Sequence, residues 1–138
     1  MKIRYDSTKC TGCCACQMAC LDQCDIRPLE GQNALCRIVE LEHANQISYQ
    51  FVHCINCGAC AKVCPTGCLY RDENGWILAN DNLCIQCHSC AKACPFGIIS
   101  FDLHTGTVKK CDGCTGRVSD GRLPACVHTC PTGALSTD

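Results

Sequence analysis

Four cysteine tetrads constrain this chain of 138 residues more than any other feature. Cys54, Cys57, Cys60 and Cys64, followed by Pro65, recur at the same spacing as Cys84, Cys87, Cys90 and Cys94, followed by Pro95. Both copies carry Ala-Lys between the third and fourth cysteine, the self-similarity expected of an internal repeat. Cys10, Cys13, Cys16 and Cys20 keep the spacing but have Leu21 where the proline would stand. The last copy is stretched: Cys111 and Cys114, eleven residues, then Cys126, Cys130 and Pro131. Of the 20 cysteines, Cys14, Cys24, Cys36 and Cys68 fall outside the tetrads.

The hydrophobic fraction of 47% counts those cysteines; without them about a third of the chain is apolar, a thin supply for an ordinary core. Metal or disulfides must then hold the fold. The start of the chain shows no apolar stretch of roughly 7 to 15 residues, so a reducing, cytoplasmic setting is expected and disulfides are not. Adjacent Cys13 and Cys14 also fit a disulfide framework poorly. Zinc would be satisfied by separate Cys-x-x-Cys pairs and gives no reason for a third cysteine three residues on. No apolar run of about 18 residues is present, so no direct membrane insertion is expected. With Lys+Arg 12 against Asp+Glu 13, the chain lacks the basic surface that nucleic acid requires.

Three cysteines at intervals of three can wrap a short loop around one face of an iron–sulfur cubane, each thiolate meeting a different iron. The fourth iron takes its ligand from elsewhere; in bacterial-type ferredoxins that ligand is the last cysteine of the other motif. Four motifs therefore predict four [4Fe-4S] clusters. The second and third motifs, joined by one short hairpin, have the layout of a two-cluster ferredoxin, and the first and fourth become partners across the chain. On that pattern Cys54, Cys57, Cys60 and Cys94 hold one cluster, and Cys64, Cys84, Cys87 and Cys90 another. The outer pair follows as Cys10, Cys13, Cys16 and Cys130, and Cys20, Cys111, Cys114 and Cys126. All sixteen would saturate the irons, which leaves no open position for a substrate and no catalytic residue to assign.

Between the motifs the sequence predicts short strands over Lys2 to Asp6, Gln46 to Val52, Leu69 to Asp72, Trp76 to Ala79, Ile98 to Asp102 and Thr107 to Lys110. Asn74-Gly75 and His104-Thr105-Gly106 read as hairpin turns. Helices of one or two turns are expected over Cys16 to Asp22 and Ala125 to Cys130. The expected fold is α+β, a tandem, pseudo-twofold, bacterial-ferredoxin-like domain spanning 1–138. Its inner half is 53–96, its outer half 1–24 plus 97–138, and 25–52 connects them, covering clusters and adding an edge strand.

The run Cys111-Asp-Gly-Cys114, eleven residues, Cys126-Val-His-Thr-Cys130-Pro-Thr-Gly-Ala-Leu, preceded by Ile-Ser-Phe-Asp and a glycine turn, carries a further resemblance. Over nearly its whole length the chain resembles the four-cluster iron–sulfur subunits that carry electrons for molybdenum and tungsten oxidoreductases. Those include dimethyl sulfoxide reductase, formate dehydrogenase and tungsten aldehyde oxidoreductase types. The chain departs from them in being shorter, in lacking long insertions and in having no proline after Cys20. The resemblance implies the same nested ligand pairing and an anaerobic electron-transfer role with catalysis on a partner chain. Implied partners are a molybdenum or tungsten subunit and, beyond it, a flavin subunit or a soluble ferredoxin. A subunit of a carbon monoxide dehydrogenase or hydrogenase complex, a free polyferredoxin, and a structural or cofactor-delivery metal protein stay open as alternatives.

A cation near a cluster stabilises its reduced form, and Lys62 and Lys92 occupy one slot in the second and third motifs. Substituting either by methionine is expected to lower a neighbouring potential. Cys14 and Cys68 read as small packing residues, Cys24 and Cys36 as residues that could approach one another, and His53, His88 and Trp76 as packing groups.

Overall fold

A computed structural model of the chain describes residues 2–24, 26 and 34–138. Part of the 25–52 connection therefore lies outside the described residues, as does the first residue of the outer half. The described elements are short and mixed: β1 (Ile3–Tyr5), α1 (Ala15–Gln23), β2 (Arg37–His43), β3 (Gln46–Val52), α2 (Ala59–Val63), β4 (Leu69–Arg71), β5 (Ile77–Ala79), α3 (Ser89–Ala93), β6 (Ser100–Phe101), β7 (Val108–Lys109), α4 (Thr115–Ser119), α5 (Ala125–Thr129) and β8 (Leu135–Thr137). A 3-10 turn, Asp81–Leu83, leads into the third tetrad.

Every strand pairs antiparallel with a single neighbour. β4 with β5 and β6 with β7 are hairpins between consecutive motifs. Their turns are closed by aspartate: Asp72 Oδ1 accepts from the N–H groups of Asn74 and Trp76, and Asp102 Oδ1 from those of His104 and Thr105. β1 instead pairs with β8, Ile3 opposite Thr137 and Tyr5 opposite Leu135, which ties the two ends of the chain together. The connection holds a full hairpin where the sequence suggested one edge strand. β2 and β3 pair over seven residues each, and Ala44 and Asn45 make the turn with φ of 42° and 73°. Ala-Asn lacks the Asn-Gly signature of such a turn, which is why β2 escaped notice.

Proline sets helix length. Cys64, Cys94 and Cys130 precede prolines and adopt extended ψ of 116°, 117° and 113°, so α2, α3 and α5 stop after five residues. Leu21 imposes no such stop, and α1 runs nine residues, carrying Cys16, Cys20 and the capping Cys24 down one side. α1 packs on α5, and α2 on α3.

Two small cores result. Cys16, Cys36, Phe51, Cys126, Val127 and Leu135 form one, which joins the first and last tetrads. Cys60, Cys68, Leu69, Ile77, Cys90 and Val108 form the other around the two middle tetrads, with Ile99 and Phe101 packed against it. Cysteine thus supplies half of each set of buried residues.

Candidate metal centres

In the first three tetrads the chain turns left-handed on both sides of the second cysteine. Gly12, Asn56 and Gln86 precede it with φ of 73°, 58° and 61°, while Cys14, Gly58 and His88 follow it at 63°, 85° and 63°. The paired left-handed residues curl the loop and turn backbone N–H groups toward sulfur. Asn56 N–H donates to Cys54 Sγ and Gly113 N–H to Cys111 Sγ, each at 3.4 Å. Each loop is held from outside by a hairpin. Asn56 Oδ1 accepts from Ile77 N–H at 3.0 Å, and Gln86 Nε2 donates to the Thr105 carbonyl at 3.0 Å. Where that slot is glycine a ring covers it instead, Tyr49 over Gly12 and Trp76 over Gly113.

The thiols gather around concavities. Cys54, Cys57, Cys60 and Cys94 line one of about 360 Å³, walled by Ile77, Ile98 and Ile99. Cys10, Cys13, Cys16 and Cys130 line a second of about 330 Å³, with Cys14 at its edge. Cys20, Cys111, Cys114 and Cys126 line a third of about 400 Å³, together with Cys24, Cys36 and His53. Cys64 lies within electrostatic reach of Cys87, and Cys84 of Cys90. Among the described residues no three His, Cys, Asp or Glu side chains close on a point as a single metal ion would require. Four sulfurs spaced around a largely apolar hollow instead suit a polynuclear, thiolate-bound group.

The surroundings favour the anion at some of the sulfurs and oppose it at others. Burial alone would raise Cys64, yet the N–H groups of Leu69, Thr66 and Cys68 and the Thr66 hydroxyl bring it down to about 7. Cys130 is lowered in the same way by Leu135, Thr132 and Ala134. The two share the run Cys-Pro-Thr-Gly-x-Leu, so one turn serves the same purpose twice. Thiols of Cys24 and Cys36 hydrogen-bond Cys20 and draw it well below the ordinary cysteine range, while both donors are pushed up. Burial raises Cys126 to about 12 and also raises Cys60, where the charge of Lys110 pulls the other way.

Sequence reasoning missed three of these features. Cys24 and Cys36 face a tetrad cavity rather than only each other, because α1 extends past Cys20. Lys110 is buried, and Lys62 and Lys92 are exposed. Strand alternation could have revealed this, since Lys110 lies two residues beyond buried Val108. Trp76 packs across onto the fourth tetrad, not within its own hairpin alone. His53 stacks on Phe51 at 4.9 Å and His88 on Phe101 at 3.8 Å. Burial lowers the His53 pKa.

Short helices, two-stranded hairpins and cysteine loops around apolar hollows define a ferredoxin-like iron–sulfur protein. Residues 42–138 match the 4Fe-4S dicluster domain family. A probable anaerobic dimethyl sulfoxide reductase chain, YnfG of Escherichia coli K12, is 37% identical over 94% of this chain and 69% of its own length. The thiosulfate reductase electron transfer subunit PhsB of Salmonella typhi is 40% identical, over 95% and 71%. The formate dehydrogenase-O iron-sulfur subunit of E. coli K12 is 35% identical over 94% of this chain but 50% of its own length. The chain belongs to this dicluster family of iron–sulfur electron-transfer subunits of oxidoreductases, and it carries multiple [4Fe-4S] clusters. Among the described residues no helix is long and apolar enough to cross a membrane.

Proposed function

We propose that the chain relays single electrons through four [4Fe-4S] clusters between a catalytic molybdenum or tungsten subunit and a second redox partner. The clusters, when bound, supply one-electron chemistry at potentials tuned by charge, hydrogen bonds to sulfur and solvent access. The carrying observation is that three of the four expected ligand sets each line one hollow, with two sets drawn from tetrads far apart in sequence. The sets are Cys54, Cys57, Cys60 and Cys94; Cys64, Cys84, Cys87 and Cys90; Cys10, Cys13, Cys16 and Cys130; and Cys20, Cys111, Cys114 and Cys126. The pairings of α1 with α5 and α2 with α3 support a tandem, pseudo-twofold build, since each of these helices carries the third cysteine of its motif, with the fourth inside α1 and directly after α2, α3 and α5. On this reading 53–96 is the inner half, 1–24 with 97–138 the outer half, and 25–52 the connection.

Cys13, Cys57 and Cys87 are exposed, which opens centres of both the inner and the outer pair to a docked redox partner. A reducing, cytoplasmic compartment suits cysteines that hold iron as thiolates. Relatives named for dimethyl sulfoxide reductase and thiosulfate reductase favour a molybdenum partner in an anaerobic respiratory complex. A flavin subunit or soluble ferredoxin completes the relay at the other end. The experiment is anaerobic purification with iron and sulfide counting, followed by molybdenum and tungsten analysis of whatever copurifies. Sixteen irons per chain and a stoichiometric molybdenum subunit are expected; zinc, or iron far short of sixteen, would overturn the reading.

A further inference from the structure

Lys110 is the one buried charged residue among the described residues, 8% exposed. A lysine ordinarily runs its stem along apolar surface and leaves its ammonium in water. Here Nζ turns inward and donates to the carbonyls of Ile77 at 2.5 Å and Cys111 at 2.7 Å. No ion pair joins it to a carboxylate among the described residues. A buried cation satisfied only by two dipoles is costly unless further negative charge stands nearby.

Its position supplies that charge from two directions. The side chain lines the hollow ringed by Cys54, Cys57, Cys60 and Cys94. Its backbone adjoins Cys111, which lines the hollow shared by Cys20, Cys114 and Cys126. The charge reaches both Cys60 and Cys111. Ile77 belongs to the inner core, and the Trp76 ring beside it rests on Gly113 of the fourth tetrad, so the ammonium sits at the seam between the two.

We propose that Lys110 is a positioning residue for electrons: the shared counter-charge of these two centres, which raises both reduction potentials and makes this seam the favoured crossing between the inner and outer clusters. The proposal rests on the four-cluster reading above. An electron arriving from the partner adds one negative charge to a centre, and a cation held in a water-poor hollow stabilises that state far more than an exposed one. Lys62 and Lys92, exposed on α2 and α3, are screened and serve as controls.

The test is an EPR-monitored redox titration of the anaerobically purified holoprotein carrying Lys110→Met, Lys110→Gln, Lys110→Arg or Lys62→Met, with iron counted in each. The methionine and glutamine variants are expected to lower two of the four midpoint potentials, the arginine variant to restore them, and Lys62→Met to shift them less. Unchanged potentials in fully loaded neutral variants would overturn the proposal. If the neutral variants lose iron while arginine retains it, the charge requirement stands; iron loss in all three would reduce Lys110 to a packing peg and overturn it. A parent protein with iron well short of sixteen would instead defeat the four-cluster reading before any variant is compared.

Discussion

The Trp76 ring lies so close over Gly113 that a Cβ on that glycine would stand 2.5 Å from its nearest ring carbon. Gly113 also has φ of +69°, and Gly67, in the Cys-Pro-Thr-Gly turn, has the same φ with open space around it. The pair separates two costs that usually come together. Gly67→Ala is expected to cost about 1 kcal/mol for the left-handed backbone alone. Gly113→Ala should cost about 2 kcal/mol more, because the ring cannot retreat without opening the seam between the two cores. Thermal unfolding of the holoproteins, followed by cluster absorbance, measures both; equal losses would mean that Trp76 yields freely.

Cys94 lies on the wall of the hollow formed by Cys54, Cys57 and Cys60, although it belongs to the next tetrad in sequence. Cys94→Ser should therefore abolish the same EPR signal that Cys57→Ser abolishes, while Cys87→Ser removes a different one. Combining Cys94→Ser with Cys57→Ser should remove no further cluster, because both act on one centre. Loss of the Cys87-dependent signal on substituting Cys94 would contradict the crossed arrangement.

What was legible in the sequence was set by local rules. β3, the hairpins after the second and third tetrads, and α5 follow from β-propensity, turn residues and the Cys-Pro stop, each decided within a few positions. β2 and β8 were not legible, since each becomes a strand only through a partner: β2 across an Ala-Asn turn without a recognisable signature, β8 by meeting β1 from the far end of the chain. The candidate sites divide in the same way. Spacing alone points to sixteen thiols, whereas the burial of Lys110 and the seating of Trp76 on Gly113 arise where elements distant in sequence converge.

Both cores lean on sulfur. With half of each buried set made of cysteine, apolar burial alone is insufficient for a chain of this size, and metal–thiolate bonding supplies the remainder. Anaerobic removal of iron with a chelator is expected to abolish the cooperative thermal transition and most far-ultraviolet ellipticity, and refolding should require iron and sulfide together. Calorimetry is the check: a sharp heat-capacity peak from the apoprotein would show that the side chains fold without their metal.

Cys68 resembles a ligand in type but not in placement. It is 1% exposed, and its Sγ donates to the Asn80 carbonyl at 3.2 Å. In the matching turns after Cys94 and Cys130 the same slot holds Ile98 and Ala134, both buried and neither able to bind iron. Burial pushes the Cys68 thiol up to about 11, as it also raises the proposed ligand Cys126, so the slot it occupies, and not its acidity, sets it apart. Cys68→Ala should keep the full complement of iron and lose about 1 kcal/mol of stability, the worth of one weak hydrogen bond and a small void. Neighbouring Cys64→Ala, by contrast, should cost a cluster. Iron counting on the two variants side by side decides the matter, and a loss of iron with Cys68→Ala would return that thiol to the ligand set.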